Sequence, residues 1–182
     1  MIPLFKKLKN EKLLKADGQL IDLGGGDGRQ AMDFLKYGYQ VTLVDVDEGA
    51  LIQAQKNFKE IAEDGYWRIE NKNIQDFVFN QKYDGIIMAN VLPFITDKQE
   101  IARIIKTAFR SLDESGFLYF TLFGPNDGWV TERRGKMSFY SRDESLSLLS
   151  IPPYFSSEDI GQGLTRQDKI KNWHILHFLY IK

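Results

Sequence analysis

Apolar and polar positions along this 182-residue chain alternate between two periods. Short apolar runs give way to stretches in which apolar residues recur every third or fourth position, and the exchange repeats down the chain. Strands are predicted at 19–23, 40–45, 66–70, 84–89 and 117–123. Between them, helices are predicted at 28–37, ending at Gly38, and at 48–63, with Ala50, Leu51, Ala54, Phe58 and Ile61 turned inward. A third begins after Asp97 and runs to about Leu112 along the stripe Ile101, Ile104, Ile105 and Ala108. Residues 4–15 read as a short basic amphipathic helix. Strands and helices in this order predict an α/β fold: a doubly wound, mostly parallel sheet with helices on both faces.

The last third reads differently. A loop rich in turn residues runs from Gly124 to Gly135, and Ser141 with Glu144 forms a capping box for a helix to Leu149. Pro152-Pro153 stops that helix, so a late strand is expected at 154–159. A polar stretch, 161–171, leads to a final strand at 172–181. A connection of about ten residues without a helix cannot make a crossover, so these two strands should pair antiparallel. The count reaches seven strands.

Candidate chemistry concentrates after the first strand, in Asp22-Leu23-Gly24-Gly25-Gly26-Asp27-Gly28. Seventeen residues beyond Gly28, the second strand also ends in an aspartate, Asp45. A glycine turn followed by an acidic strand end is how doubly wound sheets hold adenosine, with the carboxylate on the ribose. Charge then chooses among adenosine ligands. A pyrophosphate between Asp22 and Asp27, at roughly 5 Å, would be repelled by a few kcal/mol from each. A P-loop needs a Gly-Lys-Ser/Thr that is missing here. S-adenosylmethionine carries a sulfonium and an ammonium in place of phosphate, and both favour nearby carboxylates.

The same residues resemble motif I of the class I S-adenosylmethionine-dependent methyltransferases. Val44-Asp45 resembles their acidic second motif, Tyr83-Asp84-Gly85-Ile86-Ile87-Met88-Ala89-Asn90 their fourth strand, and Leu112 to Leu118 their turn into strand five. Phe123 to Trp129 and Trp173-His174-Ile175-Leu176-His177 resemble the small tellurite-resistance-like methyltransferases within that family. The resemblance covers about residues 16–182. It implies a Rossmann-like sheet with an antiparallel seventh strand, S-adenosylmethionine as cofactor and S-adenosylhomocysteine as product. On that basis Gly24, Gly25, Gly26 and Gly28 should admit the methionyl tail, Asp22 its ammonium, Asp45 the ribose, and Val46, Asn73 and Ile74 the adenine. Asp76 takes the place of Asn73 if the register shifts by three. Asn90 should line the pocket at the methyl group.

On the acceptor side, Phe94, Trp129, Arg133 and His174 are the expected substrate contacts, with Arg134 beside them. No residue stands out as a general base; Asp127 and His174 are the candidates. The two histidines lie on opposite faces of one strand, so no metal site is expected from them. Asn90 to Phe94 only partly follows the Asn/Asp-Pro-Pro-Tyr/Phe motif of amino-directed nucleic-acid methyltransferases.

Composition narrows the partners. Net charge is −1, which provides no field toward nucleic acid or acidic membranes. Zero cysteines exclude disulfides and thiolate chemistry. No apolar run reaches the ~18 residues of a membrane span, and 1–15 lacks a signal-peptide core. The expectation is one cytoplasmic domain over 1–182, a monomer or homodimer, with 1–15 as a lid and a small molecule as methyl acceptor. A nucleic-acid or protein methyltransferase, or a non-catalytic cofactor-binding module, remain the alternatives.

Overall fold

The computed structural model describes residues 4–165 and 168–182. Its elements, in chain order, are α1 (Leu4–Asn10), β1 (Gln19–Leu23), α2 (Met32–Lys36), β2 (Gln40–Asp45), α3 (Glu48–Lys59), β3 (Trp67–Asn71), β4 (Tyr83–Met88), α4 (Lys98–Arg110), β5 (Leu112–Phe123), α5 (Trp129–Glu132), α6 (Arg142–Leu146), β6 (Phe155–Leu164) and β7 (Ile170–Ile181). The seven strands form one sheet in the order β3-β2-β1-β4-β5-β7-β6. Neighbours among β1 to β5 run parallel, and β7 is antiparallel to both β5 and β6. The predicted doubly wound sheet is therefore present, including its antiparallel last strand.

Side-chain alternation divides the core between the two faces of the sheet. Ile86, Met88, Leu118, Phe120, Leu176 and Phe178 point to the α4 face, where they meet Ile101, Ile104 and Ile105. Leu20, Leu43, Ile87, Phe117 and Tyr119 point to the other face, against Leu8, Phe34, Leu51 and Phe58. Strands covered on both faces read as nearly continuous apolar runs, which is why the central strands were legible.

Helices are shorter than their apolar periods. The first crossover is helical only over Met32–Lys36, with turns before it, and the second ends at Lys59. Gly38, at φ +98°, ends the first as expected. Strand five starts earlier than its apolar run, at Leu112. The register jumps from Tyr83–Leu112 to Gly85–Phe117, and the bulge takes in the expected turn, with Ser115 at φ +62°. The polar stretch 161–171 is mostly hairpin rather than loop, because β6 and β7 pair from Phe155–Leu179 out to Leu164–Ile170. Polarity misled there because β6 is an edge strand with one side toward solvent.

The N-terminal helix, expected as a lid, packs into the core beside α2. Leu4 and Leu8 are buried in the core, and Phe5 packs edge-on to Phe34 at 5.2 Å and to Tyr37 at 5.6 Å, at the C-terminal end of α2. The chain then passes to Lys15, whose Nζ pairs with Asp84 at the start of β4. Apolar contact with α2 draws this segment to the end of the sheet opposite the C-terminal ends of the parallel strands.

Candidate active site

Strand order reverses between β1 and β4, and the crevice outside the C-terminal ends of those strands is where open α/β sheets bind ligands. Gly24 leaves β1 at φ +73°, and a Cβ added there would lie 2.3 Å from Val91, which follows β4. Only glycine lets the two sides of the crevice close to this distance. The loop's amides turn inward. Gly24 N–H donates to the Val44 carbonyl at 2.7 Å, Gly26 N–H to Asp45 Oδ2 at 2.8 Å, and Gly28 N–H to the Gly25 carbonyl at 3.0 Å. These glycines shape the crevice more than they supply free donors to it.

Asp22 lies beneath this loop, fully buried, with neither carboxylate oxygen hydrogen-bonded. A Cβ at Gly25 would touch its carboxyl at 2.7 Å. Burial, then repulsion from Asp45 and Asp27, pushes its pKa up to about 7. Sequence reasoning expected direct contact with a ligand ammonium; the structure puts Gly25 over the carboxylate. A positive charge placed in the crevice would favour the ionised form of this carboxyl.

Asp45 stands half-exposed at the end of β2. Its Oδ2 accepts from Gly26 N–H and its Oδ1 from Asp47 N–H at 3.0 Å, which leaves further lone pairs on each oxygen for hydroxyl donors. Val46 beside it is 62% exposed, an apolar face with no protein cover. Asn71 supports this corner through Nδ2 bonds to the Asp45 and Val46 carbonyls. Asn73 caps the 3-10 turn Ile74–Asp76, its Oδ1 accepting from Gln75 N–H at 3.0 Å, while Ile74 is buried. Asn73 is therefore a turn residue as well as an adenine candidate, with its amide group still available.

Asn90, two residues past β4, has φ +57°. Thr121 of β5 holds it twice: its Oγ1 accepts from Asn90 N–H at 2.7 Å and donates to Asn90 Oδ1 at 3.0 Å. Thr121 was missed, although a lone threonine inside the apolar and aromatic run 117–123 was a visible signal. Phe94, 54% exposed, meets Trp129 at 6.2 Å and Phe123 at 6.4 Å between ring centroids. Trp129 also packs on Trp173 at 5.5 Å, and the exposed Arg133 guanidinium lies 5.3 Å from its ring.

Neither candidate base is free. Asp127 Oδ2 accepts from Lys171 Nζ at 2.6 Å and from His174 N–H at 3.2 Å, and its Oδ1 accepts from Trp129 N–H at 3.0 Å. Its side chain has no exposed surface, so its lone pairs anchor the loop rather than face a ligand. His174 is 2% exposed; its Nδ1 accepts from Asn126 N–H at 3.0 Å, which leaves Nε2–H to donate to Glu158. The histidine is a strut between the loop and β6, not an acceptor contact. Lys171 was overlooked because nothing in a polar stretch marks a buried ammonium. Its Nζ sits 3.5 Å from the Trp173 ring centroid, 4.1 Å from Trp129 and 4.6 Å from Phe123.

Residues 20–116, over half the chain, match the family model described as "Methyltransferase domain". The chain belongs to that family. The match covers the glycine loop, Asp45, Asn73, Asn90 and Phe94 of this methyltransferase domain and stops before Phe123, Trp129 and Trp173. Protein YqeM of Bacillus subtilis (strain 168) is 23% identical over 140 residues, 76% of this chain and 55% of that protein. The chain thus spans about half the length of this curated relative. In fold it is similar to a SAM-dependent methyltransferase of Methanosarcina mazei, with TM-score 0.64 and 21% identity over 94% of this chain and 97% of that one. It is also similar to TehB of Haemophilus influenzae, with TM-score 0.75 and 16% identity over 97% of this chain and 62% of that one. Among the described residues, no helix is long and apolar enough to cross a membrane.

Proposed function

We propose that this methyltransferase domain transfers the methyl group of S-adenosylmethionine to a small-molecule acceptor. The observation that carries the reading is Asp22: a buried, unpartnered carboxylate at the crevice, with Asp45 at the neighbouring strand end. Such a site repels phosphate and favours a cationic amino acid nucleoside, so the residues fit this cofactor. The Methanosarcina mazei protein of the same fold is SAM-dependent by name.

Asp45 would take the ribose hydroxyls on its open lone pairs, and Val46 with Asn73 would flank the adenine. Gly24, held against Val91, would let the methionyl tail pass close to the main chain, with Asp22 opposing its ammonium through the loop. Asn90, fixed by Thr121, would line the space where the methyl group lies. Bound there, S-adenosylmethionine supplies a methyl on a sulfonium that departs with its electron pair as the acceptor's lone pair forms the new bond.

What remains for the protein is alignment and exclusion of water. Phe94 and Trp129, packed together beyond β4 and β5, offer an apolar wall for that task. With Asp127 and His174 committed to structure, no side chain is assigned as base. This favours acceptors whose nucleophile needs no strong base, such as thiols or selenides, over alcohols.

Calorimetry with S-adenosylhomocysteine and with NAD tests the cofactor, and binding of NAD alone overturns it. Asp45→Ala should weaken S-adenosylhomocysteine binding by about 1–3 kcal/mol through unpaired ribose hydroxyls. Acceptors are then screened by S-adenosylhomocysteine release.

A further inference from the structure

A second cleft opens beside the aromatic wall, with a volume of about 520 Å³. One side comes from the start of α4, at Thr96 and Lys98, and the other from the segment after β5, at Val130, Thr131, Arg134 and Met137. Ser138 N–H donates to the Pro93 carbonyl at 2.8 Å, and Phe139 bridges to Phe123, so the cleft joins the β4 exit, which carries Asn90 and Phe94, to the end of β5 at Phe123.

Its charges are one-sided: no carboxylate is among its lining residues. Lys98 shares its charge with Glu144, 3.0 Å away, and Arg133 is spent on the Trp129 ring. Arg134 makes no hydrogen bond or ion pair among the described residues. A guanidinium facing a cleft offers paired donors matched to a carboxylate or phosphate. Hydroxyls of Thr96 and Thr131 and the apolar side chains of Val130 and Met137 complete a lining suited to an anionic head on an apolar body.

We propose that the methyl acceptor is such an organic anion, held in this cleft by Arg134 with help from Lys98. The inference rests on the methyl-transfer reading and gives that reading its substrate class. The anionic head would bind Arg134 while the nucleophile, on the apolar body, extends past Phe94 toward Asn90. Net charge of the whole chain says nothing of this, because the cleft's charge is local.

The test uses the full chain saturated with S-adenosylhomocysteine, at constant ionic strength. Binding of benzoate, phenyl phosphate, benzyl alcohol and benzylammonium is compared by ligand-observed NMR and calorimetry. One charge-assisted pair should favour an anion over benzyl alcohol by about tenfold or more. The tighter of benzoate and phenyl phosphate assigns the head group as carboxylate or phosphate ester. Arg134→Gln should abolish the preference, Arg134→Lys should keep part of it, and both should leave the S-adenosylhomocysteine affinity and the melting temperature unchanged. Equal binding of benzoate and benzyl alcohol, tighter binding of benzylammonium, or no binding of either anion overturns the inference. So does an anion preference that survives Arg134→Gln. Failure of S-adenosylhomocysteine itself to bind instead overturns the methyl-transfer reading.

Discussion

At the scale of single residues, Asp22 and Gly24 carry the most. Burial, with repulsion from Asp45 and Asp27, pushes the Asp22 pKa up to about 7, so near neutral pH it is only partly ionised. A cationic ligand favours the ionised form. Binding of S-adenosylmethionine should therefore release part of a proton at pH 7 and almost none at pH 9, seen as buffer-dependent binding enthalpy. Asp22→Asn should remove that proton release and weaken binding at pH 8 by about tenfold. Unchanged affinity and unchanged proton release would mean that Asp22 does not sense the ligand. Gly24→Ala puts a Cβ 2.3 Å from Val91 in a backbone conformation that side chains resist. It should cost about 1–3 kcal/mol in urea unfolding, and Gly24→Ala with Val91→Ala should recover the steric part but not the φ part. Both positions were legible from sequence. The proximity of Val91 was not, because 67 residues separate it from Gly24.

At the scale of elements, the segment after β5 owes its position to β7. Gly124 N–H and Gly128 N–H donate to the His174 and Asn172 carbonyls, both at 2.8 Å, and Asp127 with Lys171 closes the loop as a buried ion pair. Burial pushes the Lys171 pKa down, against the pull of Asp127, and three aromatic faces surround its ammonium. Removing one partner leaves an uncompensated buried charge. Lys171→Met should therefore cost about 3–5 kcal/mol, and Lys171→Met with Asp127→Leu should recover much of it, as read by denaturant midpoints. Additive losses in the double variant would show that the pair is not coupled. The capping box Ser141–Glu144 and the Asp97 cap were local enough to read directly, and both form as expected. The β6–β7 hairpin was only half legible, since its outer part carries polar residues and glycines that pattern reading assigns to loops.

At the scale of the whole molecule, stability should record the ionisation of Asp22. The folded pKa lies above the unfolded value, so the folded state holds the extra proton between about pH 4 and pH 7, and stability falls as pH rises through that window. A shift of about three units is worth about 4 kcal/mol at most. His177 contributes with the opposite sign. Burial lowers its pKa below the ordinary histidine range, so stability falls as pH drops through that range. The difference between wild type and Asp22→Asn isolates the first effect: the variant should gain on wild type from pH 4 to 7 and stay level above pH 8. A flat difference would show that Asp22 is not desolvated. The sequence by itself determined the order of strands and helices, the mostly parallel sheet and the glycine turn with aspartates at two neighbouring strand ends, because those rest on periodicity and on glycine and aspartate at fixed short spacings. Only the tertiary structure decided that Asp22 is sealed under Gly25, that Asp127 and His174 are bound by Lys171 and Glu158, that residues 4–10 pack away from the crevice, and that Arg134 faces an open cleft. Each of these depends on pairings between residues far apart in the chain, which local pattern does not encode.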